Sequence, residues 1–228
     1  MIGPGFLLSV LSIFLAALPL GAAVDTKELE THLRKAANYD GLGDRSALDK
    51  IAAIAKAAEG NAADAAAVEK RLLIILKSSR TSDECREFLC DQLGVVGSAD
   101  SVSTLAKMAA VEKYAEMGLK GLGGIKDKSA GVALRKLYLQ AKPADRGPIV
   151  TALGSQGDSA SVDLLAQLAD GEDDLIAVVA VEALGGINSP DSDTPTSQPV
   201  PPIIVATATI IGNGERRRWA FIPDPPNA

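Results

Sequence analysis

Four Leu-Gly dipeptides recur along this chain, at Leu93-Gly94, Leu122-Gly123, Leu153-Gly154 and Leu184-Gly185, so the glycine repeats at spacings of 29, 31 and 31. A fixed period near 30 means stacked copies of one supersecondary unit rather than a single large core. The likeness extends beyond the dipeptide. Residues 92–109 read QLGVVGSADSVSTLAKMA and residues 152–169 read ALGSQGDSASVDLLAQLA. Both give Leu-Gly-x-x-Gly, a polar stretch, then Ser-Val-x-x-Leu-Ala-x-[Leu/Met]-Ala. The copy at 122–137 is looser, with Lys126 where the others have Gly97 and Gly157.

Each unit resolves into two amphipathic helices. In the first, Cys85, Phe88, Leu89 and Leu93 fall on one helical face. Thr81 and Glu84 have capping-box spacing at its start. The glycine after leucine is expected to end the helix in the left-handed conformation. In the second helix Val102, Leu105, Met108 and Ala109 form the inner face, repeated by Val162, Leu165, Leu168 and Ala169, with Asp100 and Ser159 or Ser161 as candidate caps. Pro148 either stands in the first turn of its helix or kinks it. Three further helical patterns, over 26–38, 46–59 and about 62–77, lack the Leu-Gly signature and are expected to cap the array within residues 24–80. Composition agrees. The chain is 47% apolar but only 4% aromatic, and thin Ala/Leu-rich helices suit such usage. The expected fold is all-α, an α-solenoid of antiparallel helix pairs, with repeats over 81–187.

The two ends read differently. Residues 1–23 carry no charged side chain, hold an apolar run from Phe6 to Leu18, and end in Pro19 and Gly21-Ala22-Ala23. This is the layout of a signal peptide cut after Ala23, which predicts a secreted or periplasmic protein with no other membrane association; an uncleaved anchor is the alternative. Such a compartment permits disulfides. However, Cys85 and Cys90 on one helix would sit about 140° apart around its axis, so both are read as small buried apolar residues. Eight of the 12 prolines lie at or after Pro190. Residues 188–228 therefore form a Pro/Ser/Thr-rich tail, expected to be disordered or the product of a frameshift or truncation; the alternatives are that it folds back over the open end of the array or that a partner or further domain covers that end. The helix over 172–185 is then expected to leave Ile176, Val179, Ala180, Ala183 and Leu184 poorly covered on one side.

Chemistry is sparse. His32 is the only histidine and reads as a surface or boundary residue, which argues against a Ser/His/Asp hydrolase or a multi-histidine metal site. The formal charge of −6 argues against nucleic acid as a general partner. Residues 118–131 are glycine-rich but meet neither phosphate-loop pattern. Asp127 and Asp158 occupy equivalent turns and are explained by capping without calcium. No cofactor, metal or small-molecule site is expected. The remaining functional surface is the ridge of second helices, with Ser103, Lys107, Arg135, Lys136, Asp163 and Gln167 as candidate contact residues.

Two-helix units of this period carrying Ala152-Leu153-Gly154-Ser155-Gln156-Gly157-Asp158 and Ala180-Val181-Glu182-Ala183-Leu184-Gly185-Gly186-Ile187 resemble HEAT repeats, most of all the short subtype named after phycobilisome lyases. The resemblance covers about 82–187. Segments 39–48 and 85–102 are similar to parts of secreted HEAT-repeat proteins of environmental bacteria, in which the array is often one part of a longer polypeptide. The resemblance implies a non-catalytic scaffold that binds another protein. The alternatives are the non-catalytic HEAT segment of a larger secreted enzyme, or an enzyme like the bilin lyases, whose cytosolic setting a signal peptide contradicts. The similar deoxyhypusine hydroxylases bind iron through His-Glu pairs, and His32 is followed by Leu33.

Overall fold

A computed structural model describes residues 23–187. Expectations for the signal segment and the tail fall outside these residues. The described residues are all-helical: α1 (Thr26–Ala36), α2 (Ser46–Ala58), α3 (Ala62–Leu76), α4 (Asp83–Val96), α5 (Ala99–Ala109), α6 (Ala115–Gly124), α7 (Lys128–Gln140), α8 (Arg146–Gln156), α9 (Val162–Ala169) and α10 (Asp174–Ile187). Single 3-10 turns at Glu112–Tyr114, Pro143–Asp145 and Ser159–Ser161 lead into α6, α8 and α9. None of the described helices is long and apolar enough to cross a membrane.

The helices pack in chain order. The first helices of the units follow one another, α2 on α4, α4 on α6, α6 on α8 and α8 on α10. Each second helix also packs on the next first helix, α5 on α6, α7 on α8 and α9 on α10. One apolar core runs through all of them, from Leu29 to Leu184. Leu93, Leu122 and Leu153, the leucines of the repeated dipeptide, are fully buried, as are Leu105, Leu134 and Leu165 at matching positions of the second helices. The helices α1, α2 and α3 share this core, with α3 packed on α4.

The glycine of the dipeptide has a different task from the one expected. Gly94, Gly123, Gly154 and Gly185 all lie inside helices, and only Gly41, Gly60 and Gly157 among the described glycines have positive φ. At Gly94, Gly123 and Gly154 the role is close approach, whereas a methyl on Gly185 would meet nothing within 4 Å among the described residues. A methyl on Gly154 would stand 2.6 Å from the Cα and Cβ of Ala183 on α10, and one on Gly124 would stand 2.7 Å from the Cα of Gly94 on α4. First helices thus meet nearly backbone to backbone, which any side chain would block. In one unit the left-handed helix end falls on the second glycine of the motif, Gly157, at φ 76°, while its counterpart Gly97 ends α4 in extended conformation.

Other local expectations divide. Ser82, not Thr81, caps α4, accepting from the Cys85 amide, while the Thr81 hydroxyl donates to the Ile75 carbonyl at 2.6 Å. Ser98, not Asp100, caps α5. Asp158 caps the turn before α9, and Asp127 caps α7. Pro148 stands in the first turn of α8, which starts at Arg146. Helix α10 is better covered than expected, since Ile176, Ala180, Ala183 and Leu184 are buried and Val179 is half-buried; its exposed large side chains are Leu175 and Val178.

Candidate interaction surface

The six candidate residues lie on three second helices: Ser103 and Lys107 on α5, Arg135 and Lys136 on α7, Asp163 and Gln167 on α9. Five are exposed and one, Arg135, is half-buried. Lys107, Lys136 and Gln167 occupy the same turn of successive units, each two residues after a fully buried leucine (Leu105, Leu134, Leu165). Burying that leucine turns the position two residues later outward, since two residues rotate about 200° around a helix. No carboxylate among the described residues forms an ion pair with Lys107 or Lys136.

Arg135 is committed to the fold. Its guanidinium donates to the Asp158 carboxylate and to the Ser161 hydroxyl, both at 2.7 Å, which ties α7 to the turn before α9. Burial pushes the Asp158 pKa up, but the Arg135 bond and the Ala160 amide outweigh it and leave the pKa below the usual aspartate value. The Asp158 and Asp127 carboxylates are thus spent locally, Asp127 on the amide and hydroxyl of Ser129. Among the described residues no cluster of three or more His, Cys, Asp or Glu could hold a metal ion.

The equivalent tie two units earlier uses the opposite charge. Glu69 of α3 is only 3% exposed. Its carboxylate accepts from the amides and hydroxyls of Ser98 and Ser101 at 2.5–3.1 Å, holding the N-terminus of α5. An anion there complements the partial positive charge of the helix start. No sequence rule points to this residue. Its signal, Ser98 and Ser101 matching Asp158 and Ser161, is readable only once the helices are placed.

Two adjoining grooves open beside the junction of α3 and α5. One, of about 780 Å³, lies along α3 and the end of α4, lined by Ala62, Ala66, Lys70, Ile74, Lys77 and Val96 among others. The second, of about 430 Å³, is lined by Lys77, Arg86, Ser103, Lys107, Val111 and Tyr114 among others. Lys77 and Asp100 belong to both. Ile74 is 60% exposed and Val111 49%, high for large aliphatic side chains. Tyr114 closes one end, with the cations of Arg86 and Lys113 at 5.7 and 5.1 Å from its ring centre. Both cations are engaged elsewhere. Arg86 donates to the carbonyls of Thr81 and Ser78. Lys113 pairs with Asp83 at 2.6 Å, which raises its pKa.

Two of the six candidates, Ser103 and Lys107, therefore meet in one groove. The α3 wall lies outside the expected surface, because the pattern over 24–80 reads as a cap. A detectable signal is present in Lys70, Ile74 and Lys77, where an isoleucine shares a helix face with two lysines. His32 is a boundary residue, 3.6 Å from Glu28 through Nε2. Cys85 and Cys90 are buried free thiols with pKa values pushed up by burial to about 11 and about 12. No protein-family model matches the chain, and no curated protein matches it in sequence.

Proposed function

We propose that this chain is an α-solenoid of HEAT-like helix pairs serving as a non-catalytic scaffold for another protein outside the cytoplasm. The contact order supports the solenoid. First helices of successive units pack on one another, and each second helix packs on the first helix that follows it, as quasi-one-dimensional repeat proteins do. The observation that carries the binding role is the outward, recurring row on the second helices. Lys107, Lys136 and Gln167 are exposed at one turn of successive units. Such a row offers a partner a repeating set of contacts across several helices. The pattern of residues 1–23 supports export.

Two measurements test this reading. Intact mass of the protein recovered from an exporting host should correspond to loss of residues 1–23. Cross-linking of the exported protein should capture a partner through the α5–α7–α9 face. Exchange of Ser103, Lys107, Lys136, Asp163 and Gln167 for alanine should abolish capture while leaving the melting temperature unchanged. Capture that survives this exchange would refute the assignment of the face.

A further inference from the structure

We infer that the paired grooves between α3 and α5 dock an acidic peptide segment bearing apolar side chains. The inference rests on the scaffold reading and names its site and the chemistry of its partner.

Three observations converge. The first is shape. Helices α5 and α7 pack against each other, whereas α3 meets the start of α5 through Glu69. The two grooves lie beside this junction and adjoin at Lys77 and Asp100. The second is the apolar content. Ile74, Val96 and Val111 line the grooves, and Ile74 and Val111 are largely exposed. Burying them against a partner removes apolar area from water, which favours association. The third is charge. The chain is acidic overall, at −6, yet Lys70, Lys77 and Lys107 rim the grooves and none pairs with a carboxylate among the described residues. Asp100 is the groove carboxylate that no described cation neutralises, since the carboxylate of Glu69 is enclosed by Ser98 and Ser101.

An acidic segment satisfies the lysines and its apolar residues fill the floor. A polynucleotide fits less well. It would present no aliphatic surface to Ile74 and Val111.

The test uses the full chain and a displayed library of random 16-residue peptides at about 0.1 M salt. Retained peptides should be rich in Asp and Glu interspersed with Leu, Ile or Phe. A synthetic winner, followed by fluorescence anisotropy, should bind at least about tenfold more weakly to the double reversal Lys77→Glu/Lys107→Glu, and its binding to the wild type should weaken as salt rises. The reversal Lys50→Glu/Lys142→Glu makes the same charge change away from the grooves and should bind as the wild type does. Ile74→Asp should also reduce binding. Equal melting temperatures should show that each variant folds. Retention of peptides that ignore both Lys77→Glu/Lys107→Glu and Ile74→Asp would overturn the groove assignment and leave the scaffold reading standing. Retention of no peptide of any composition by the folded chain would count against both. A single-stranded oligonucleotide that displaces the peptide and shares its sensitivity to the reversal would overturn the peptide assignment in favour of nucleic acid.

Discussion

Substituting alanine at two glycines of the same repeat position should move stability in opposite directions. In Gly154→Ala the new methyl meets the Cα and Cβ of Ala183 at 2.6 Å. Ordinary carbon–carbon contact is about 3.5–4.0 Å, so α8 and α10 must part by about 1 Å. One of the obstructing atoms is backbone, which has no rotamer to yield. Overpacking of this kind costs about 1–3 kcal/mol, and the upper half applies here. Alanine in place of glycine inside a helix returns about 1 kcal/mol. The net loss is about 1–2 kcal/mol, or roughly 3–6 °C in melting temperature for a chain of this size. At Gly185 a methyl meets nothing within 4 Å among the described residues. There the helix-propensity gain stands alone and, reduced by nearness to the end of α10, comes to about 0.5 kcal/mol. Thermal and urea unfolding followed by far-ultraviolet circular dichroism would read both. Ala183→Gly in the Gly154→Ala background removes one of the two obstructing atoms and should recover part of the loss, the coupling expected of residues in contact. If Gly154→Ala is as stable as wild type, or Gly185→Ala loses as much, close approach does not explain the repeated glycine.

Further outcomes follow from the buried polar groups. Glu69→Ala should cost about 2–4 kcal/mol in unfolding free energy, because four donors of Ser98 and Ser101 lose a buried acceptor; Glu69→Gln should lose about half as much. Arg135→Ala should cost about 1–3 kcal/mol by stripping Asp158 of its partner. The folded Asp158 pKa lies below its unfolded value, so its contribution is present above the unfolded pKa and is lost as pH falls through the folded one. Urea titrations below pH 4 should therefore show a weaker acid-dependent loss in Arg135→Ala than in wild type. Cys85 and Cys90 have raised folded pKa values of about 11 and about 12 against an ordinary 9.0. Their contribution is complete below pH 9.0 and falls as pH rises toward the folded values, because the unfolded thiols ionise first. Alkylation at neutral pH should accordingly be slow in the native protein and reach both thiols on unfolding, with no disulfide in the intact mass.

Much of the fold is legible in the sequence because its signals are local. The spacing of Leu89 and Leu93, or Leu105 and Met108, specifies a helix face without reference to anything distant. Proline at 148 is compatible with a first turn wherever that helix packs. The candidate surface is half legible for the same reason. An exposed lysine two residues after a buried leucine can be read from periodicity, as at Lys107 and Lys136. Arg135 sits beside Lys136 in the sequence, and no local pattern distinguishes a guanidinium turned to Asp158 from one turned to solvent.

By itself, the amino-acid order determined the helices, their period and the buried leucines, since hydrophobic periodicity and chain-breaking residues act within a few residues. The tertiary structure alone decided what the repeated glycine is for. A glycine near a helix end satisfies a left-handed turn and a close helix crossing equally well, and only the backbone of Ala183 beside Gly154 separates the two. It likewise decided that Glu69 belongs to the start of α5, and that α3 and α5 together line the grooves. These are distances between segments a whole repeat apart in the chain, and they depend on how helices pack rather than on how each one forms.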